Sequence, residues 1–149
     1  MSAAEEFNST RKTKKPLTVA VFAGSREGRD PADKEDALYV GRALGLNGIL
    51  LVYGGGCTGN MGFSSGACLE AGGLVKGFNL SCFAEAHDYP QKSYEVVCRS
   101  IAIRKEEMLA EADAYIALGG GRGTADEILD ALNEQYLAGY MDPPVAKKP

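Results

Sequence analysis

The stretch ADAYIALGGGRGTADEI, residues 112–128, decides the fold. Residues 114–118 form a short apolar run of strand character, and four glycines, Gly119, Gly120, Gly121 and Gly123, break the pattern immediately after it. From Thr124 onward apolar residues recur at helical spacing through Ile128, Leu132 and Tyr136. Strand, glycine loop and helix in that order make a βα unit, the building block of a parallel sheet.

The same alternation runs outward to both sides. Strands are expected over residues 17–23, 49–53, 74–78, 94–98 and 114–118, with helices over 32–45, 60–71, 101–112 and 124–140. The segment NLSCFAEAHDYPQKS, residues 79–93, has no clear period and reads as a loop. The expected architecture is α/β: one open parallel sheet with helices packed on it, in a single domain spanning residues 16–149. The amino-terminal residues 1–15 are basic and lack an apolar run, so they read as a solvated tail and not as a secretory signal.

Composition narrows the function classes. Across 149 residues, 45% are apolar and 24% charged, with a net charge of −4, the balance of one globular core. Beyond the first residues there is no basic stripe to follow a phosphate backbone, so nucleic acid is not expected as a partner. The longest apolar runs, LTVAVFA and GILLVY, fall far short of the roughly 20 residues that span a bilayer, so no membrane partner is expected either. Cys57, Cys68, Cys82 and Cys98 form no C-x-x-C pair, which fits the reduced thiols of a cytoplasmic protein. One histidine, His87, lies in the irregular segment, and it reads as a loop residue. A histidine-rich metal centre cannot be built within the chain, and neither a metal nor another cofactor is expected.

The glycines sort by position. Gly45, Gly48, Gly72 and Gly73 follow helices and precede strands, where glycine commonly closes a helix in the left-handed conformation. Gly24, the run Gly54, Gly55 and Gly56, Gly59, and the cluster from Gly119 to Gly123 follow strands and precede helices, placing three loops on the carboxyl edge of the sheet. That edge is where open α/β sheets bind ligands, so the three loops imply one crevice. Glycine loops that run into helices present unpaired N–H groups with the positive end of the helix dipole behind them, and a phosphate suits such a place. Thr124 is placed either to cap its helix or to give its hydroxyl to a phosphate oxygen. Asp126 and Glu127 are expected in the first turn of that helix, where complementing the dipole would explain them without chemistry. Arg104 and Lys105, early in the preceding helix, are either solvated charges or cations facing the crevice. In YGGGCTGNMG the spacing G-x-G-x-x-G resembles a dinucleotide fingerprint. It follows the second strand, however, and Asn79 and Ser81 stand where a ribose-binding acid belongs, so a dinucleotide oxidoreductase is disfavoured.

Taken together, GSREG, VYGGGCTGNMG, RKEEM and ADAYIALGGGRGTADEI resemble the Lonely Guy family of cytokinin-activating phosphoribohydrolases, also called lysine-decarboxylase-like, over nearly everything from residue 17 to 145. The family signature P-G-G-x-G-T-x-x-E falls on residues 119–127, and its R-K pair falls on Arg104 and Lys105. The resemblance implies a Rossmann-like fold, a homodimer or larger assembly, and hydrolysis of the N-glycosidic bond of a purine nucleoside 5′-monophosphate to free base and ribose 5-phosphate. It also implies Arg104 and Glu127 as catalytic residues. The substrate would be held by Gly24, Ser25, Lys105, Gly120, Gly121, Gly123 and Thr124. The related molybdenum-cofactor carriers supply the alternative, a binding protein without hydrolase activity. Departures from the pattern are Gly119 in place of the signature proline, Ile101 and Ala102 in place of a methionine and a histidine, Arg122 where a tyrosine is frequent, and Asn133 and Glu134 in place of T-W. The sequence also stops, at GYMDPPVAKKP, where the family continues into another strand and helix.

Overall fold

The first apolar run becomes the most enclosed element of the protein. In the structure, a computed structural model that describes residues 15–26, 28–84 and 93–138, strand β1 (Thr18–Phe22) is buried at every position. Four of its five residues can be apolar because helices cover both faces of the sheet, as parallel sheets require. The other strands are β2 (Leu50–Tyr53), β3 (Val75–Leu80), β4 (Tyr94–Cys98) and β5 (Ala114–Ala117). The helices are α1 (Pro31–Leu46), α2 (Gly59–Glu70), the single turn α3 (Ser81–Ala84), α4 (Ile101–Glu111) and α5 (Arg122–Leu137).

The sheet is entirely parallel, in the order β4-β3-β2-β1-β5. The chain winds from β1 outward to β4, then returns across the sheet so that β5 pairs with the far side of β1, Val19 opposite Ala114 and Phe22 opposite Ala117. The direction of winding reverses between β1 and β5, and this switch point is where a crevice opens beyond the carboxyl ends of the strands. Two cores flank the sheet. Val19, Val21, Leu51, Tyr53 and Val75 pack with Leu44 of α1 and Cys68 of α2. Ala20, Phe22, Val52 and Phe78 pack with Met108 and Leu109 of α4 and Ala131 of α5. The expected Rossmann-like α/β sheet with helices on both faces is therefore the observed one.

Helix α1 starts at a side-chain cap, Asp30 accepting from the Ala32 amide at 2.9 Å with Pro31 at the first helical position. It packs against α2 through small residues: a Cβ added at Gly41 would run into the carbonyl oxygen of Ser64, and one at Gly45 into that of Cys68. Gly45 is thus a packing position inside α1, and Gly73 lies against it without a left-handed backbone. Of the four glycines expected as left-handed caps, Gly48 (φ 65°) and Gly72 (φ 82°) have that conformation. The stretch expected as loop from residue 79 is ordered at its start, because Asn79 and Leu80 continue β3 in register with Val97 and Cys98, and α3 follows at once. Residues 85–92, including His87, and the tail over 1–14 lie outside the described residues. Among the described residues no helix is long and apolar enough to cross a membrane, and all four cysteines are unpaired.

Candidate active site

At the switch point the three glycine loops are tied together by their backbones. Gly24 after β1 donates its amide to the Gly119 carbonyl after β5 at 3.2 Å, and the Gly24 carbonyl accepts from the Met61 amide of α2 at 3.1 Å. The Thr58 hydroxyl donates to the Ser25 carbonyl at 2.5 Å. Approach this close requires missing side chains. A Cβ at Gly24 would stand 3.0 Å from the Gly120 Cα, and one at Gly59, whose φ is 60°, would press on the carbonyls of Gly24 and Arg26. Gly24 and Gly120 thus meet on the sheet edge, with Ser25 tied to Thr58 next to them.

Helix α5 begins earlier than its sequence suggests. Its N-cap is Gly121, which has no side chain to bond the first amides, and its first turn carries no acid. Thr124 is therefore not the cap. It is buried in the first turn with its hydroxyl against Gly120. Asp126 and Glu127 stand in the second turn, one turn too late to complement the free amides, so the helix dipole does not account for them. Helices α1 and α4 are closed by Asp30 and Ser100, whereas α5, and α2 with its N-cap Thr58, have no side-chain cap bond. The space around Gly121 and Gly123 is open, since a Cβ at either would meet no atom within 4 Å. Uncapped amides facing open space are what an anion needs.

The charged residues divide by what holds them. Lys105 places Nζ 2.7 Å from both Asp126 and Asp130, an arrangement that joins α4 to α5 and raises the ammonium pKa through hydrogen bonds to Asp126 and then to Asp130. Its charge is thus engaged by two carboxylates of α5. Arg104 leans the other way, its Nη1 3.7 Å from where a Cβ at Gly54 would sit, and its Nε is buried with no hydrogen-bond partner. Glu127 lies in a small cleft with Phe22, Lys105, Met108, Leu109 and Asp130. Burial pushes its carboxyl up to about 7, the Arg104 charge opposes that rise, Asp126 and Asp130 add to it, and Lys105 counters it. Arg104 and Glu127 therefore act on each other electrostatically, beside the loops.

Two residues here were not singled out from sequence. The Asp33 carboxylate fills the space over Gly28 and Gly119, where a Cβ at Gly119 would stand 2.9 Å from its Oδ2. In sequence Asp33 is only an acid in the first turn of α1. Asn60 binds the Gly119 carbonyl. Its only sequence signal was a polar residue in the apolar and small run GNMGFSSGA. Among the described residues no group of His, Cys, Asp and Glu is arranged to hold a metal ion.

The family model described as "Possible lysine decarboxylase" matches residues 61–146, more than half of the chain. The chain belongs to this family, the Lonely Guy family. Relatives within it include the probable cytokinin riboside 5′-monophosphate phosphoribohydrolase LOG4 of Oryza sativa subsp. japonica, 39% identical over 85% of this chain and 55% of its own length. The cytokinin riboside 5′-monophosphate phosphoribohydrolase LOG4 of Arabidopsis thaliana is 36% identical over 95% of this chain and 66% of its own. This Lonely Guy chain thus spans between about half and two thirds of the curated relatives it matches. Among solved structures, the molybdenum cofactor binding protein of Rippkaea orientalis superposes with a TM-score of 0.71 at 27% identity, covering 83% of this chain and 74% of that one.

Proposed function

We propose that this protein hydrolyses the N-glycosidic bond of a purine nucleoside 5′-monophosphate, AMP or a cytokinin riboside monophosphate, releasing the free base and ribose 5-phosphate. The observation that carries the reading is the pairing of Glu127, half-buried and with its pKa raised to about 7 beside Arg104, with the uncapped start of its own helix about one turn earlier. The relatives named as phosphoribohydrolases support the same substrate class.

In this reading the amides around Gly120, Gly121, Gly123 and Thr124, with Gly24 and Ser25 opposite, receive the 5′-phosphate, and the ribose reaches toward Glu127. Breaking the bond leaves positive charge on the sugar, which an ionised carboxylate stabilises while orienting the attacking water. Hydroxide from that water ends on C1′ and its proton ends on the departing base. Arg104 stays charged at any working pH, so it serves as an electrostatic partner for the base and not as a proton donor. Its Nε is buried without a hydrogen-bond partner. Lys105 acts one step removed, holding Asp126 and Asp130 so that α5 presents Glu127.

The protein acts in the cytoplasm as a homodimer or larger assembly, without nucleic acid, membrane or cofactor. The apolar surface of α4 and α5 supports self-association, since Ile101, Ile103, Leu129, Leu132 and Leu137 are exposed. Incubation of the purified protein with AMP and with isopentenyladenosine monophosphate, followed by chromatography for free base, tests the activity. Tight nucleotide binding with no base released would favour the carrier alternative, toward which the likeness to the Rippkaea orientalis protein points.

A further inference from the structure

The junction between the glycine loops runs through one side chain that the chemistry above does not use. Asn60 follows Gly59 in the first turn of α2 and is 1% exposed. Its Nδ2 donates to the Gly119 carbonyl at 3.0 Å across 59 positions of sequence. The same carbonyl accepts from the Gly24 amide, and the Met61 amide, next in the chain, donates to the Gly24 carbonyl. Two successive residues of α2 thus grip both loops of the switch point.

The other half of the carboxamide is unmatched. Asn60 Oδ1 is buried and accepts no hydrogen bond. A buried oxygen without a donor works against stability, and an apolar side chain of similar size would avoid that loss. Stability alone therefore gives no reason for an asparagine here. What it supplies, and leucine cannot, is a fixed position for the Gly119 carbonyl. That carbonyl opens the run from Gly119 to Gly121, three residues with the widest backbone freedom and no side chains with which to anchor themselves. A loop held before its ligand arrives loses less freedom on binding.

We propose that Asn60 is a positioning residue for the anion-binding loop: by holding the Gly119 carbonyl it sets the amides at the start of α5 in place for the phosphate of the substrate. The inference rests on the reading of that loop as the phosphate site. It is tested by measuring ribose 5-phosphate affinity, melting temperature and AMP hydrolysis in the wild-type protein and in Asn60→Leu. The variant is expected to melt at or above the wild-type temperature, to bind ribose 5-phosphate at least tenfold more weakly, and to raise KM for AMP at least tenfold with kcat changed less than threefold. Asn60→Ser, whose hydroxyl is too short to reach Gly119, gives the same affinity and KM changes if leucine prevents folding. Unchanged ribose 5-phosphate affinity overturns the inference, as does an affinity loss accompanied by a large fall in melting temperature in both variants. Ribose 5-phosphate binding by the wild type without base release from AMP defeats the hydrolase reading and leaves this one standing, whereas no binding by the wild type defeats this one.

Discussion

Glu127 is held where a carboxylate is least comfortable, and its discomfort has a measurable sign. Burial raises its pKa from the usual 4.5 to about 7, so between those values the folded protein binds more protons than the unfolded chain and stability falls as pH rises. The penalty is complete above about pH 7 and is on the order of 3 kcal/mol, at about 1.4 kcal/mol per pH unit. Glu127→Gln should therefore be more stable than wild type at pH 8 by up to that amount, with the gap closing toward pH 4. Urea denaturation at the two pH values reads this directly, and equal stability at pH 8 would show that the carboxyl titrates in its ordinary range. In the proposed reaction the same ionisation governs turnover. With the carboxylate as the working form, kcat/KM should climb through about pH 7 and level off above it. Glu127→Gln and Arg104→Ala should each keep the fold and lose base release by about a hundredfold or more, the scale of one transition-state charge contact. Circular dichroism checks the first half of that statement and chromatography of the released base the second.

Among the elements, α1 and α2 are packed most closely, and the reason is small residues on both sides. Gly41 and Gly45 face Ser64, Ala67, Cys68 and Ala71 with no room for a β-carbon. Gly41→Ala must push α2 away from α1, and overpacking of this kind costs about 1–3 kcal/mol. Because α2 begins at the glycine loops, the same variant should also weaken ribose 5-phosphate binding, whereas Gly66→Ala, where nothing lies within 4 Å, should be neutral in both. Titration calorimetry alongside denaturation separates the pair. How far each element could be read from sequence follows from what marks its ends. β1, β2, β4 and β5 fall within about one residue of the apolar runs that suggested them, since glycine or a helix signal bounds each run. α5 starts two residues before the expected residue 124, because an N-cap made by Gly121 leaves no capping side chain to read in the sequence. β3 was closed early at residue 78, since Asn79 is polar yet buried, with its Oδ1 receiving the Leu80 amide and its Nδ2 3.4 Å from Glu95.

At the scale of the molecule, the sequence carried the presence of a parallel sheet and three loops on its edge, but not the strand order. Nothing local in the run from Ala114 to Ala117 says that it pairs with β1 and not with β4. That pairing decides that the loops of Gly24 and Gly119 are neighbours. The contact of Asn60 with Gly119 was illegible for the same reason. Resemblance supplied Arg104 and Glu127, and the fold supplied what surrounds them. Apolar residues at helical spacing on α4 and α5 ordinarily form core, and Met108 and Leu109 are buried, but Leu132 and Tyr136 are 60% and 63% exposed. If that surface joins two copies of the chain, Leu129→Glu with Leu132→Glu should halve the mass seen by sedimentation while leaving the circular dichroism spectrum unchanged. A wild-type protein that already sediments as one chain would remove the need for a partner there.

The place of β5 also bears on how the protein comes into being. One flank of β1 has no strand partner until residues 114–117 have been made, so an incomplete chain lacks half of the ladder along the strand that is buried at every position. Such an open edge invites strands from neighbouring chains. Synthesis is thus the stage at which this protein is most exposed to aggregation, and a pause between Cys98 and Ala114 would prolong it.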